Sequence, residues 1–106
     1  MAKYLFHGSY TQSGIQGVLK DGGTGRRTAV DALAASVGGS VEAMYWGFGS
    51  DDFYVIADLP DHAAAAALAM TTGAAGVVSI STVVLLSADD MDAAVKLHPA
   101  YRAPGT

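Results

Sequence analysis

Residues 41–60, VEAMYWGFGSDDFYVIADLP, hold two strand-like segments separated by a glycine-bracketed turn. Ser40–Phe48 and Phe53–Asp58 are rich in aromatic and β-branched residues, which favour strands over helices. Gly47 and Gly49 bracket the turn and suit a bulge or a positive-φ conformation between the strands. The stretch therefore predicts a β-hairpin, around which the other elements are arranged.

Before this hairpin, the pattern predicts one strand and a broken helix. Lys3–Tyr10 alternates with a period of two, as a strand does. One face carries Tyr4, Phe6, Gly8 and Tyr10, and the other carries Leu5, His7 and Ser9. A short helix capped by Thr11–Ser13 ends at Asp21-Gly22-Gly23, and a second piece starts near Thr24 and ends at Gly38-Gly39. Its apolar residues fall on one helical stripe, formed by Val30, Leu33, Ala34 and Val37.

After the hairpin, we expect a helix, a strand and a last short helix. Asp61 is the predicted N-cap of an alanine-rich helix that runs to Thr72. Gly76–Leu86 is β-branched and predicts strand four. Ser87 and Asp90 form a capping-box pattern at the start of a helix that reaches about Leu97. Residues 1–97 thus read as one domain, and 98–106 read as an extended tail.

The order β-α-β-β-α-β plus a terminal helix predicts an α+β, ferredoxin-like fold with an antiparallel four-stranded sheet. Its helices cover one face of the sheet and leave the other open. Strands one and three are apolar or aromatic on both faces, since Phe53 and Val55 alternate with Tyr54 and Ile56. A sheet of this kind needs a second layer, so we predict a homo-oligomer formed through the open sheet face.

Composition excludes several classes of function. The 106 residues carry a net charge of −4 with only six basic side chains, which argues against nucleic acid as a partner. No apolar run is long enough for a membrane span and the amino terminus lacks signal-peptide features, so a cytoplasmic location is expected. The absence of cysteine removes disulfides and thiol chemistry. Hydrophobic residues reach 51% and charged residues 15%, which also favours an oligomer.

An ordered set of short motifs resembles the GYD domain family over about residues 3–97. The motifs are Gly8-Ser9-Tyr10-Thr11, Arg26-Arg27, Gly38-Gly39, Gly49-Ser50-Asp51-Asp52 and Thr82-Val83-Val84-Leu85. The resemblance implies a small protein related in shape to dimeric α+β barrels, a wider group of cofactor-free monooxygenases, cyclases, haem-handling proteins and ligand binders. The family has no established activity, and no cofactor is expected. Its Gly-x-Tyr-Asp motif is altered here, because Asp51 stands at the tyrosine position.

His7 is the main catalytic candidate. A histidine within an apolar strand is placed to meet a cavity behind the sheet, where it serves as acid, base or ligand, or is simply hydrogen-bonded in an interface. Four aromatic residues are candidates to line the same cavity and bind a ligand: Tyr10, Tyr45, Trp46 and Tyr54. Their alternative role is packing. His7, His62 and His98 have no metal-binding spacing, so no metal site is predicted.

Arg26 and Arg27 are further ligand-binding candidates. In the first turn of a helix they oppose the dipole, so we expect an acidic partner or a bound anion, with plain solvated side chains as the remaining alternative. Asp51, Asp52 and the terminal carboxylate are candidate partners, and an anion in the loop of residues 22–25 is the alternative. The two aspartates themselves are expected to serve the turn and to point apart, and a carboxylate pair for acid–base chemistry or metal binding is the alternative.

Two hypotheses follow. In the first, the protein is a non-enzymatic oligomeric module that binds a small apolar or aromatic ligand, or a protein partner, through the cavity behind the sheet. In the second, it is a cofactor-independent enzyme of the monooxygenase or cyclase kind, with His7 as the acid–base group for an aromatic substrate. The position of His7, facing a cavity or packed side chains, distinguishes them.

Overall fold

The computed structural model describes all 106 residues as a four-stranded antiparallel sheet with three helices. The elements in chain order are β1 (Ala2–Tyr10), α1 (Gln12–Ser36), β2 (Ser40–Trp46), β3 (Phe53–Leu59), α2 (His62–Ala74), β4 (Val78–Leu85) and α3 (Ala88–Val95). The strand order is β2-β3-β1-β4, which is the ferredoxin-like arrangement. The predicted fold class is confirmed. No helix combines the length and the apolar character needed to cross a membrane.

The core lies between the sheet and helices α1 and α2. Phe53, Val55, Ala57 and Leu59 of β3 are buried, whereas Tyr54, Ile56 and Asp58 between them are not. In β1, Tyr4 and Phe6 are buried and their neighbours are less so. The predicted two faces of β1 and β3 are therefore confirmed. Only 13 of the 106 residues are buried, so the core is small for the length of the chain.

Strand β2 departs from the strict alternation of faces that is typical of a strand. A strict alternation would put Val41 on the face of Ala43 and Tyr45, but the register shifts between Val41 and Ala43. Val41 thus packs with Met44 and Trp46 against the core. A β-bulge changes which residues share a face, and this one falls near the start of β2 rather than at the hairpin glycines.

The hairpin turn also differs from expectation in one detail. The residue with positive φ is Phe48, at 58°, while neither Gly47 nor Gly49 adopts it. The turn is closed by the Gly47 N–H, which donates to the Asp52 carbonyl at 3.0 Å. Phe48, between the two glycines, thus adopts the left-handed conformation, and neither glycine does.

Helix α1 is bent at Gly22, which has φ 71° and ψ 176°. Only glycine adopts these angles without strain, so the predicted break is confirmed. A second helical segment follows directly after Gly22, as predicted, but Thr24 lies inside this segment instead of at its N-cap. Thr11 is the N-cap of α1 and Asp61 is the N-cap of α2, as predicted. Helix α2 continues through Gly73 to Ala74, beyond its predicted end.

Helix α3 begins with the predicted capping box, in which Ser87 and Asp90 exchange hydrogen bonds. It has no buried residue, and Leu86, Val95 and Leu97 are more than 60% exposed. The radius of gyration is 16.8 Å, whereas a compact domain of this length has about 13 Å. The carboxyl-terminal segment, residues 87–106, thus extends away from the rest of the domain.

Candidate functional site

His7 lies on the open face of the sheet and contacts the β2–β3 turn. Its Nδ1 atom is 2.5 Å from Asp51 Oδ2, and its ring stacks on that of Tyr54 with a centroid distance of 6.4 Å and an interplanar angle of 12°. Both side chains of the pair are slightly more than a quarter exposed. An ionised carboxylate only accepts hydrogen bonds, so Nδ1–H donates to Asp51 and Nε2 is left as the basic nitrogen. The contact with Asp51 therefore fixes the orientation of the His7 ring.

Asp52 fixes the turn that carries Asp51. The Asp52 N–H donates to the Gly8 carbonyl at 2.7 Å, and the Asp52 carboxylate accepts from the Tyr10 N–H at 2.9 Å. Both aspartates therefore connect the turn to β1, and Asp51 does more than serve the turn. One joins the hairpin to the β1 backbone, and the other reaches the His7 ring.

The open face is organised in rows that cross all four strands. One row is Tyr45, Tyr54, His7 and Ser81, and the next is Ala43, Ile56, Leu5 and Val83. Tyr45 is 71% exposed and Val83 is 40% exposed. An aromatic and histidine row thus lies beside an apolar row, and neither is covered within the chain.

Lys3 supplies the positive charge at the far end of this face. Its Nζ donates to Asp58 Oδ1 at 2.8 Å and lies 3.4 Å from Glu42 Oε1. The hydrogen bond to Asp58, reinforced by Glu42, raises the pKa of Lys3 above its ordinary value. At this end of the face, the ammonium of Lys3 therefore contacts two carboxylates.

A cleft of about 310 Å³ lies on the opposite side of the sheet, between α1 and α2. Helix α1 packs mainly against β2, and α2 packs mainly against β4, so the helices barely contact each other. Three of the positions that line the cleft are alanine, namely Ala34, Ala57 and Ala75. Alanine side chains are too short to close the space between the helices, and an apolar cleft remains.

The mouth of this cleft is where its few polar groups lie. Arg26 and Tyr10 line the cleft and also an adjoining small depression that contains Ser13 and Asp21. The Tyr10 hydroxyl accepts a hydrogen bond from Trp46 Nε1 at 2.9 Å, and the Tyr10 ring packs on Phe53 at 5.2 Å. Arg26 Nη1 lies 3.5 Å from Asp21 Oδ2. The cleft is thus apolar inside and polar at one end.

The structure divides the predicted ligand-binding residues between two sites. Tyr10 and Arg26 belong to the cleft, and Trp46 joins them through its hydrogen bond to Tyr10. Tyr45 and Tyr54 lie with His7 on the open face. Residues of opposite parity in a strand point to opposite sides of a sheet, so the four aromatic residues do not line one cavity.

The expected pairing of the arginines with the hairpin aspartates is wrong. Arg27 Nε donates to Asp31 Oδ1 at 3.0 Å, one helical turn away, and Arg26 lies near Asp21. Asp51 and Asp52 are engaged elsewhere. Arg27 pairs within the helical segment that follows Gly22, and Arg26 reaches Asp21 across the bend. Acids close in sequence therefore pair with both arginines.

The remaining histidines do not join His7. His62 Nδ1 lies 2.6 Å from the hydroxyl of the buried Tyr4, and His98 lies in the exposed carboxyl-terminal segment. No three His, Asp or Glu side chains are grouped in a way that could hold a metal ion.

Several cleft residues were missed by the sequence reasoning. Val30, Leu33 and Leu68 were recognised only as core-facing residues, and Thr71 was not considered. The alanines that line the cleft come from three different parts of the chain, namely Ala34, Ala57 and Ala75. No local sequence pattern shows that these positions face one space, so the cleft was not predicted.

The comparisons with known proteins identify the family only. No curated protein and no solved structure gives a significant match to the chain. A family model described as the GYD domain matches residues 4–95, which span β1 to α3 and include both the cleft and the His7–Asp51 pair. The chain belongs to the GYD domain family.

Proposed function

We propose that this protein is a homo-oligomeric, non-enzymatic module that binds a small apolar or aromatic molecule in the cleft between α1 and α2. The observation that supports it is the cleft itself, which measures about 310 Å³ and has 14 hydrophobic residues among the 17 that line it. Pockets that hold small molecules start at about 300 Å³ and are mostly apolar, with a few polar groups that orient the ligand. Arg26, Tyr10 and Thr71 are such groups.

The cleft suits a ligand of modest size and affinity. Small ligands gain between about 0.3 and 1.5 kcal/mol per non-hydrogen atom. A micromolar Kd corresponds to about 8 kcal/mol, which about ten to twelve atoms supply at an intermediate efficiency. A single aromatic ring system or a medium-length alkyl chain therefore matches the space.

Binding in the cleft is tested with a neutral aromatic probe, 2-naphthamide, followed by ligand-observed NMR. Val30 lines the cleft and is half-buried, so Val30→Phe should fill the space and abolish binding. Ala75 lies at the exposed rim of the cleft, and Ala75→Phe should block entry without entering the core. Val83→Phe, on the open face, is the matched control and should bind as the wild type does.

Unchanged binding in both cleft variants would overturn the cleft as the site. Loss of binding in Val83→Phe alone would move the site to the open face. If the wild-type protein binds no member of a panel of neutral apolar probes, the proposed binding function is wrong.

We propose that a second copy of the chain covers the open face. Lys3 contacts Asp58 and Glu42, so a second copy would not bury its ammonium without an ionic partner. The apolar row through Leu5 and Val83 offers the surface that a facing sheet needs.

Neighbouring valines on β4 provide the test of this interface. Val83 and Val84 are 40% and 48% exposed, but Val83 pairs with Leu5 on the open face and Val84 pairs with the buried Tyr4 on the helix side. Val83→Lys should produce monomers in sedimentation velocity, and Val84→Lys should leave the assembly unchanged. A wild-type monomer at high protein concentration would contradict the proposal.

A second candidate function, acid–base catalysis at His7, is favoured by the 2.5 Å contact with Asp51. The carboxylate would hold the imidazole in one tautomer, and Nε2 would be the proton acceptor. Tyr54 and Tyr45 in the same row would flank an aromatic substrate. If a panel of phenolic substrates is converted by the wild type and equally by His7→Gln, this candidate is eliminated. Asp51→Asn should lower turnover with little change in KM.

A further inference from the structure

We infer that the ligand of the cleft is an amphiphilic monocarboxylate, whose apolar part fills the space between α1 and α2 and whose carboxylate is bound by Arg26 and Tyr10. The inference rests on the proposed binding function and specifies the chemistry of the ligand. It depends on three side chains at the mouth of the cleft: the guanidinium of Arg26, the phenol of Tyr10 and the carboxylate of Asp21.

Arg26 is the only charged residue that lines the cleft. Its guanidinium makes no hydrogen bond within the chain, and its one ionic contact joins Nη1 to Asp21 Oδ2 at 3.5 Å. Arg27, the next residue, instead donates to Asp31 at 3.0 Å. A guanidinium has five N–H donors in two usable edges, so Arg26 retains donors for a carboxylate at the end of an apolar ligand.

Tyr10 supplies a second donor at the same place. Its oxygen accepts the Trp46 indole N–H at 2.9 Å, so its own O–H proton is free to be donated. No acceptor for that proton is present in the chain. Tyr10 and Arg26 line the wall shared by the cleft and the adjoining depression. Two donors at the end of an apolar space match an anionic head group on an apolar body.

Asp21 limits the charge that this site accepts. Its carboxylate already balances part of the Arg26 charge, and it would repel a dianion more strongly than a monoanion. A phosphate ester is therefore disfavoured relative to a carboxylate. Replacing Asp21 by a neutral residue should tighten binding of the carboxylate, which is an effect opposite in sign to the removal of Arg26.

The experiment compares octanoate with octanamide, which have the same chain and differ in head-group charge. Trp46 is the only tryptophan and contacts Tyr10, so its fluorescence reports on the mouth of the cleft, with calorimetry as a second readout. Wild-type protein should bind octanoate about tenfold more tightly than octanamide, as one charge-assisted hydrogen bond provides. Arg26→Gln should remove that preference and leave octanamide binding unchanged.

Arg27→Gln is the matched control and should retain the preference. Asp21→Asn should strengthen octanoate binding and leave octanamide binding unaffected. Tyr10→Phe should weaken octanoate binding more than octanamide binding, because the phenol O–H donates more strongly to a charged acceptor. Equal binding of the two probes to the wild type, with no effect of Arg26→Gln, would overturn the carboxylate inference while the binding function stands. Binding of neither probe would overturn both. Tighter binding of octyl phosphate than of octanoate would overturn the preference for a monoanion.

Discussion

His7 and Asp51 are 44 residues apart in the chain, and their side chains meet with Nδ1 and Oδ2 2.5 Å from each other. The GYD motif has a tyrosine at the position of Asp51. The substitution that makes the motif imperfect thus gives His7 a carboxylate partner at the edge of the open face. Residue 51 therefore supplies a carboxylate to His7 where the motif has a phenol.

The coupling between these two side chains is measurable by a double-mutant cycle. His7→Gln and Asp51→Asn each remove the pair, and the double variant removes nothing further. Because the pair is about three-quarters buried, we expect a coupling energy of about 1 kcal/mol, near the upper limit for exposed ion pairs. The measurement is urea unfolding of the four proteins. Additive effects within about 0.3 kcal/mol would show that the contact does not stabilise the fold.

Gly8 and Gly17 should respond oppositely to alanine. A Cβ on Gly8 would lie 1.8 Å from the Ser79 carbonyl oxygen, whereas a Cβ on Gly17 would meet nothing within 4 Å. Gly8→Ala should therefore separate β1 from β4 and destabilise the protein by about 2–3 kcal/mol. Gly17→Ala, in the helical part of α1, should stabilise it by about 0.5–1 kcal/mol. Thermal and urea unfolding test both variants, and similar effects at the two sites would contradict this packing.

The Lys3 interaction predicts a loss of stability at alkaline pH. The hydrogen bond to Asp58 and the nearby Glu42 raise the pKa of Lys3 above the ordinary value of 10.5. When the pKa of a lysine is higher in the folded than in the unfolded protein, its full stabilising contribution is present at a pH below the unfolded-state pKa. This contribution is lost as the pH rises through the folded-state pKa. The difference in unfolding free energy between wild type and Lys3→Met should shrink above pH 10.5. A difference that stays constant up to pH 12 would disprove the linkage.

Removal of residues 87–106 should leave the domain almost as stable as before. Helix α3 has no buried residue, so its removal should take away little packing energy. We expect the free energy of unfolding to change by less than about 0.5 kcal/mol, as for exposed positions in general. Binding of 2-naphthamide in the cleft should also be unaffected. A loss of more than about 2 kcal/mol would show that this segment packs on the domain or on another copy.

Local patterns predicted the elements of the fold because their causes are local. Thr11, Asp61 and Ser87 cap the helices that follow them, and the alternation in β1 and β3 gives the correct faces. The bulge after Val41 was missed, since a shift of register depends on how β2 pairs with β3. One inserted residue is enough to reverse the face assignment.

The site was predictable only in part, because its contacts join residues distant in sequence. His7 was identified as a candidate from its place in a strand, but its partner Asp51 comes from the β2–β3 turn. The gap between α1 and α2 depends on how far apart the sheet holds two helices. The sequence shows the small side chains beside that gap and says nothing about the distance between the helices.

If the cleft binds a ligand as proposed above, that ligand would also set the lifetime of the protein. A chain with so few buried residues has little stability in reserve, and a molecule that fills the cleft completes its core. A ligand present at 100 times its Kd would add about 2.7 kcal/mol to the free energy of unfolding. Such a gain can change cellular abundance severalfold, because proteases remove the unfolded chain. The amount of this protein in a cell would then follow the concentration of the molecule that it carries.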